Sequence, residues 1–271
     1  MSNGVRLNDY LARIGYAGTP GPDLETLAGI HAAHVNAIPF EGLDPLLGRP
    51  VMLDLPSVQA KLLDSRRGGY CFEQNALLQA VLQSLGFRTT ALGGRVRWNV
   101  PPESPLGGRT HMLLKVDLPQ GPYLADVGFG ACLLDAPLRW VTDVEQRTAM
   151  GTYRLTLADG LYTLSAKQPA GWRVMYVFDL APQIPADFEL GNWFTSTSPL
   201  APFKQRLIME RLAADKRYKL INRRFVVEAR DGEIASESMV ASAAELRGIL
   251  EETFGVTAPA PAEEIFARLG S

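Results

Sequence analysis

The hydrophobic pattern of this chain changes its period at residue 87. Before that point, apolar residues recur at helical spacing, most clearly in CFEQNALLQAVLQSLGF, a run that Gly86 is expected to terminate. After it, short runs such as THMLLKVDL and TYRLTL alternate between polar and apolar residues, as strands do. Asp159-Gly160 lies between two such runs and predicts a two-residue hairpin turn. Helices followed by hairpin-linked strands predict an α+β fold with an antiparallel barrel or sandwich.

The same pattern divides the 271 residues into three predicted units. They are an N-terminal helical bundle over residues 1–86, a central antiparallel β-barrel over residues 87–185 and a C-terminal α/β lid over residues 186–271. Asn8 is expected to cap the first helix and Asp23 the second, because short polar side chains accept the unpaired N–H groups of a helix start. Residues 182–203 are rich in Pro, Ser and Thr and predict an irregular linker or binding loop.

Composition and charge exclude several classes of protein. Lys plus Arg number 27 and Asp plus Glu 29, so the net charge is −2 and no basic excess is available to hold a nucleic acid. No apolar run reaches the length of a membrane span, and the start MSNGVRLNDY lacks the apolar core of a signal peptide. We therefore expect a cytoplasmic protein without nucleic-acid or membrane partners. His31 and His34 have no cysteine nearby, so no metal site is expected.

Cys71 is the first candidate for chemistry. It lies at the predicted start of the fourth helix, where unpaired N–H groups and the helix dipole favour a thiolate. Gly68 and Gly69 leave room for a substrate to approach the sulfur. The alternative is a small buried apolar residue, and the position alone does not decide between the two. Cys132 lies beside two leucines and is expected to be a core thiol.

A cysteine nucleophile needs a base and a group that orients the base. His111 opens the run HMLLKV with its side chain opposite the apolar face, and Asp126 lies among small and apolar neighbours. Either residue could instead be structural, His111 as a strand residue and Asp126 as a turn cap. If residues 119–122 form the hairpin loop, Asp126 falls opposite Lys115, about 13 Å along the strand from His111. Contact between them would then require a bulge or an irregular register.

Five motifs together resemble the arylamine N-acetyltransferases. They are RGGYCFEQN at residues 67–75, IPFE at 38–41, RTH at 109–111, DVGFG at 126–130 and NWFTST at 192–197. The motifs occur in the family's order, and the resemblance covers about residues 7–230. Two departures are Gly42, where the family usually has Asn, and Gly93-Gly94, where a larger residue and Ala are usual. Both departures lie outside the candidate catalytic residues.

The resemblance implies a catalytic triad of Cys71, His111 and Asp126 in a core like that of the cysteine proteases. It also implies the helical bundle, barrel and lid, with acetyl coenzyme A as the acetyl donor and no metal. An acetyl group would move through an acetyl-cysteine, in ping-pong order, to an arylamine, arylhydroxylamine or hydrazine. Two family-like motifs further predict a buried ion pair between Glu41 and Arg67 near the cysteine.

Contacts with the two substrates are predicted only in outline. Backbone N–H groups of the glycine-rich turn are expected to approach the coenzyme pyrophosphate, and aromatic rings to wall a flat apolar acceptor pocket. The candidates are Thr110, Gly128, Phe129 and Gly130 for the coenzyme, and Phe40, Phe129 and Phe203 for the acceptor. The rings could equally be core residues. The sequence leaves open a monomer or a homodimer, a cysteine hydrolase or transglutaminase with the same residue order, and a binding protein with a dead triad.

Overall fold

The computed structural model describes residues 4–213 and 215–270, which fold into a helical N-terminal part and two antiparallel sheets. The helices are α1 (Leu7–Ile14), α2 (Leu24–Ala37), α3 (Leu43–Leu47), α4 (Leu55–Gln59), α5 (Cys71–Ser84), α6 (Pro185–Thr197), α7 (Pro202–Gln205), α8 (Ala243–Gly248) and α9 (Ala262–Arg268). The strands are β1 (Phe40–Glu41), β2 (Arg88–Val96), β3 (His111–Leu118), β4 (Gly121–Ala125), β5 (Leu138–Arg139), β6 (Glu145–Arg147), β7 (Thr152–Ala158), β8 (Leu161–Gln168), β9 (Gly171–Pro182), β10 (Ile208–Ala213), β11 (Lys216–Ile221), β12 (Arg224–Glu228) and β13 (Ile234–Met239). The predicted α+β class is confirmed. The outer limits of the predicted units, residues 1 and 271, lie outside the described residues.

The helix starts show which local signals decide the N-terminal part. Asp23 caps α2 as predicted, because its Oδ1 accepts the Thr26 N–H at 2.8 Å. The cap predicted at Asn8 is wrong, since α1 begins at Leu7 and Arg6 precedes it without a side-chain cap. Tyr10 and Ile14 bury the inner face of α1, so packing rather than a polar cap sets where this helix begins. No helix among the described residues is both long and apolar enough to pass through a membrane.

The larger sheet has eight strands in the order β5-β4-β3-β2-β9-β8-β7-β6 and curls into a nearly closed barrel. Its two end strands meet through one side chain. Gln146 in β6 accepts the Arg139 N–H of β5 at 2.7 Å and donates to the Arg139 carbonyl at 2.9 Å. The predicted turn at Asp159-Gly160 joins β7 to β8, with φ of 51° and 75°, as a two-residue hairpin of paired left-handed residues requires.

The smaller sheet runs β1-β10-β11-β12-β13 and combines distant parts of the chain. β1 comes from the helical N-terminal part, yet Phe40 pairs with Glu210 and Glu41 with Met209 of β10. One face of this sheet packs with α8 and α9 in an apolar core that includes Leu220. The sheet therefore ties the N-terminal part to the C-terminal part, and the division into three units stays a prediction.

Residues 182–203 are not the irregular segment that their composition predicts. Most of them form α6, and α7 begins within them. The carboxylate of Asp187 accepts the Ile184 N–H at 3.0 Å and so closes the helix start, where Pro185 already has a suitable φ. Phe188, Asn192, Thr195 and Ser196 recur at helical spacing on the buried face. Because three of these four side chains are polar, the spacing of hydrophobic residues alone does not reveal this helix.

Candidate active site

Cys71 is the first residue of α5, and the chain before it is held in an extended conformation. The carboxylate of Glu73 accepts the Tyr70 N–H at 3.0 Å and so fixes the residue that precedes the thiol. The Cys71 side chain is a free thiol, largely buried, and its Sγ lies 3.6 Å from the Thr110 carbonyl oxygen. A Cβ on Gly128 would lie 2.6 Å from the Cys71 Cα, so Gly128 lets the following loop pack directly on the cysteine.

His111 is the first residue of β3 and lies beside Cys71. Its Nε2 is 2.7 Å from Oδ2 of Asp126, and both side chains are almost completely buried. His111 pairs across the sheet with Gly94 of β2. A Cβ at position 94 would approach His111 Cδ2 to 3.3 Å, closer than ordinary van der Waals contact. The departure at Gly94 therefore gives the imidazole ring room against the sheet.

The loop at residues 119–122 that would misalign His111 and Asp126 does not form, because the hairpin turn is tighter. Leu118 pairs with Gly121, which leaves only two residues in the turn between β3 and β4. Continuing this register one residue beyond β4 places Asp126 opposite Leu113 rather than Lys115. Asp126 is then a diagonal neighbour of His111 on the same face of the sheet, so no bulge is required.

The Asp126 carboxylate accepts four hydrogen bonds. Oδ2 accepts from His111 and from the Tyr176 hydroxyl at 2.9 Å, while Oδ1 accepts from Asn75 Nδ2 and the Gly128 N–H, each at 2.9 Å. Burial raises the pKa of Asp126, but the charge on His111 and these hydrogen bonds outweigh burial and hold it below its usual value. Sequence reasoning missed both Asn75 and Tyr176. The helical spacing could have revealed Asn75, because it follows Cys71 by one turn of the same helix. No motif around Tyr176 marks it as a residue of the site.

The groups around His111 strongly raise the pKa of its imidazole ring. Burial alone lowers the pKa of His111, but the charge and hydrogen bond of Asp126, together with the adjacent Cys71, raise it to about 10. His111 is therefore an imidazolium at neutral pH, hydrogen bonded to a buried carboxylate on one side and close to a thiol on the other. Such a pairing favours the thiolate form of a cysteine.

Cys71 and His111 open into a cavity of about 490 Å³. Every residue that the sequence proposed for substrate contact lines it, namely Phe40, Thr110, Gly128, Phe129, Gly130 and Phe203. Asp126 lies behind His111 and is not part of the wall. The lining residues that the structure describes include Arg206 and Lys219 but neither Asp nor Glu. Lys219 is already paired with Glu228 at 2.8 Å, so Arg206 is the cation in this wall that favours a substrate carrying negative charge. Sequence reasoning missed Trp98, Phe194 and Leu200 in its wall.

Aromatic rings shape the cavity from two sides. Phe129 stands edge-on to the His111 ring at 5.2 Å, and Phe40 packs against Phe203 at 5.8 Å between centroids. Phe40 is 3% exposed, so it serves the core and the cavity wall together. A Cβ at Gly42 would lie 2.9 Å from the Phe203 ring. The departure at Gly42 thus allows Phe203 its present position in the wall.

A buried charge cluster supports the start of α5. The predicted pair is confirmed, since Arg67 Nε donates to Glu41 Oε1 at 2.7 Å with both side chains almost fully buried. Asp44, Lys61 and Glu73 complete the cluster. Lys61 lies 2.6 Å from a carboxylate oxygen of Asp44 and 2.6 Å from one of Glu73. Glu73 also holds Tyr70, so the cluster anchors the turn that presents Cys71.

Cys132 occupies a different environment from Cys71. It is 1% exposed, lies in the apolar core of the barrel, and burial raises the pKa of its thiol. The prediction of a core thiol is confirmed. In the part of the chain that the structure describes, no group of three or more His, Cys, Asp or Glu side chains is arranged to hold a metal ion.

Comparison with known proteins identifies the site's family. A family model described as N-acetyltransferase matches residues 23–262. The arylamine N-acetyltransferase of Mycolicibacterium smegmatis is 43% identical over 254 residues, covering 92% of this chain and 91% of that protein. The chain belongs to the arylamine N-acetyltransferase family. The arylamine N-acetyltransferase of Escherichia coli is 38% identical and spans 92% of this chain and 88% of its own length.

The fold of this N-acetyltransferase agrees with solved structures of the family. The structure of Mycobacterium marinum arylamine N-acetyltransferase in complex with CoA has a TM-score of 0.92 and 37% identity, covering 98% of this chain and 100% of that chain. The resemblance drawn from the five motifs is therefore confirmed. It also decides for an N-acetyltransferase over the cysteine hydrolase and transglutaminase that share the order of Cys, His and Asp.

Proposed function

We propose that this N-acetyltransferase moves an acetyl group from acetyl coenzyme A, through an acetyl-cysteine on Cys71, to an arylamine, arylhydroxylamine or hydrazine. The observation that carries the proposal is the placement of Cys71 and His111 at one cavity, with Asp126 bonded to His111 at 2.7 Å behind it. In this proposal the three residues form a triad of nucleophile, base and orienting acid.

The first half-reaction transfers the acetyl group to the enzyme. The Cys71 thiolate attacks the thioester carbonyl, an S–C bond forms, and coenzyme A leaves with the proton that His111 donates. Backbone N–H groups at the start of α5 are the proposed donors to the oxyanion, since a helix start leaves such groups unpaired. Asp126 keeps its negative charge throughout, which favours the imidazolium before the step and orients the neutral ring after it.

The second half-reaction regenerates the thiolate. The amine attacks the acetyl carbonyl, neutral His111 takes the amine proton, and the Cys71 sulfur leaves as a thiolate beside the imidazolium. Weakly basic amines are uncharged at neutral pH and so remain nucleophilic. Phe40, Phe129 and Phe203 are the proposed walls for the flat acceptor, because their rings line the cavity beside the two reacting residues.

Coenzyme A fits the remaining features of the cavity. The loop at Gly128, Phe129 and Gly130 exposes backbone to the cavity beside Cys71, and Thr110 adjoins His111. A relative from Mycobacterium marinum has been solved with CoA bound. We assign the coenzyme contacts to these four residues, with no metal in the reaction. The absence of acidic side chains from the described wall favours a donor that carries phosphates.

Mass spectrometry of the intact protein tests the acyl carrier. Incubation with acetyl coenzyme A and no acceptor should add one acetyl group to the wild type and to Cys132→Ala, but none to Cys71→Ser, because a hydroxyl ionises far less readily than a thiol. Addition of an arylamine should then remove the acetyl group. Acetylation of a folded Cys71→Ser variant, or parallel loss of acetylation in Cys132→Ala, would contradict the assignment.

Steady-state kinetics test the order of the two half-reactions. Double-reciprocal plots at several acceptor concentrations should be parallel, because coenzyme A leaves before the amine reacts. Intersecting plots would indicate direct transfer within a ternary complex. We further propose a cytoplasmic enzyme, since catalysis needs Cys71 as a free thiol, acting as a monomer or a homodimer without nucleic-acid or membrane partners.

A further inference from the structure

The two half-reactions described above use neither of two buried histidines. His31 and His34 lie one turn apart on α2, have no exposed surface, and do not line the cavity. His34 is fully bonded, through Nδ1 to the Tyr10 hydroxyl at 2.8 Å and through Nε2 to Gln74 Oε1 at 2.6 Å. His31 makes a different contact, because its Nε2 accepts the backbone N–H of Asp126 at 3.3 Å.

This contact lies just beyond the point where β4 stops pairing with β3, the strand that begins at His111. Ala125 is the last residue of β4 that pairs with β3, so the Asp126 N–H has left the ladder. A buried N–H without an acceptor is strongly unfavourable. His31 Nε2 takes the place of the missing strand carbonyl. It fixes the main chain of Asp126 from α2, independently of the four hydrogen bonds to the carboxylate.

The direction of this bond fixes the tautomer of His31. A peptide N–H can only donate, so Nε2 is unprotonated and the ring proton is on Nδ1. Among the described residues, Nδ1 of His31 has no hydrogen-bond partner. An apolar side chain in this place would avoid that unpaired donor. What the imidazole contributes here is therefore the acceptor at Nε2.

The groups around His31 leave it neutral. Burial lowers its pKa to about 4, although the nearby carboxylates of Asp126 and Asp135 act in the opposite direction. His34 is the other histidine on α2. Burial lowers its pKa to about 3, so His34 is also neutral near pH 7. The acceptor at Nε2 is thus available wherever the enzyme works near neutral pH.

We propose that His31 is a positioning residue for the reaction, and that its neutral Nε2 sets the main chain of Asp126 so that the carboxylate meets His111. The inference rests on the proposed function for the role of Asp126. It assigns to α2 a part in catalysis that does not involve substrate contact.

A pair of variants of similar length tests the acceptor. His31→Gln retains a strong oxygen acceptor near the position of Nε2, whereas His31→Met offers only a thioether sulfur, which accepts hydrogen bonds weakly. For His31→Met we expect kcat, and the rate of Cys71 alkylation by iodoacetamide at pH 6–7.5, to fall about tenfold, the usual effect of one lost hydrogen bond. KM for acetyl coenzyme A should change less than about twofold, and His31→Gln should stay within about threefold of wild type in every measurement.

Ile30→Ala is the matched control for lost packing, since Ile30 is an apolar, fully buried residue of the same helix. It should lower the melting temperature without changing the pH profile of alkylation. Equal rates for His31→Met and His31→Gln would overturn the inference. A change of the alkylation profile in Ile30→Ala as large as in His31→Met would overturn it too.

Nitrogen NMR of the wild type keeps the inference testable if His31→Met does not fold. At pH 7 the ring proton should be on Nδ1 in His31 and on Nε2 in His34. The ring-nitrogen chemical shifts of each histidine therefore serve as the reference for those of the other. A proton on Nε2 of His31 would overturn the inference. If wild-type Cys71 takes up no acetyl group, the proposed function fails, while the NMR result still decides whether the bond to Asp126 exists.

Discussion

Asp126→Asn tests whether the negative charge of Asp126 keeps His111 protonated. Asparagine keeps the size of the side chain and one acceptor oxygen, but it removes the negative charge beside His111 at 2.7 Å. Asp126 is the main cause that raises the pKa of His111 to about 10 against the effect of burial. Without that charge, the pKa of His111 should return toward the ordinary value of about 6.5.

The size of the effect follows from these two values. At pH 7.5 a group of pKa about 10 is almost wholly protonated, whereas one of pKa about 6.5 is protonated in roughly one-tenth of molecules. The share of molecules that hold an imidazolium beside Cys71 should fall in the same ratio. We therefore expect the alkylation of Cys71 by iodoacetamide to slow at least about tenfold at pH 7.5.

Alkylation rates between pH 6 and 9 are the assay, because they report the thiolate without any substrate. The wild type should be reactive and nearly flat at the acid end, and acetyl coenzyme A should protect it. Asp126→Asn should instead react faster as the pH rises. Asp117→Asn, on the same strand as His111 but outside the cavity, is the control. A wild-type profile in folded Asp126→Asn would refute the assignment of Asp126 as the stabilising charge.

Three further outcomes are expected. Arg67→Ala should lower the unfolding free energy by about 3–5 kcal/mol, because it leaves Glu41 buried and unpaired, and a thermal melt equal to wild type would contradict this. Cys132→Ala should retain full acetyl transfer, since that thiol lies in the barrel core, and a folded but inactive variant would reveal a second role. Burial lowers the pKa of His31 to about 4 and that of His34 to about 3, so the stability gained by keeping them neutral is complete above about pH 6.5 and is lost as the pH falls toward 4. Urea unfolding at pH 7 and pH 5 should show this loss, and equal free energies at the two values would contradict it.

The parts of the fold that could be predicted are those set by neighbours in the chain. The cap at Asp23, the start of α5 at Cys71 and the turn at Asp159-Gly160 each depend on a few adjacent residues. The pairing of Phe40 with Glu210 and the bridge that Gln146 makes to Arg139 depend on how the whole sheets curve. Local patterns carry no information about either contact.

The candidate active site could likewise be predicted only in part. Cys71, His111 and Asp126 could be chosen because their residue types suit the chemistry and their motifs resemble a family. The contact between the last two could not be derived, since a difference of two residues in the turn moved Asp126 from Lys115 to Leu113. Tyr176 reaches Asp126 from β9, which neighbours β2 rather than β4, so the contact depends on how the sheet curves across these strands and not on residues near Tyr176 in the chain.

The pairing of β1 with β10 has a consequence for the order in which the enzyme becomes active during synthesis. Phe40 leaves the ribosome early, but its strand partner Glu210 follows 170 residues later in the chain. At about 5–20 residues per second, that gap lasts on the order of 10–30 s. In the later part of this interval, after His111 has been made, a nascent chain holds Cys71 and His111 without the complete wall that Phe40 and Phe203 form. We therefore expect the ability to transfer an acetyl group to appear only after β10 has been made.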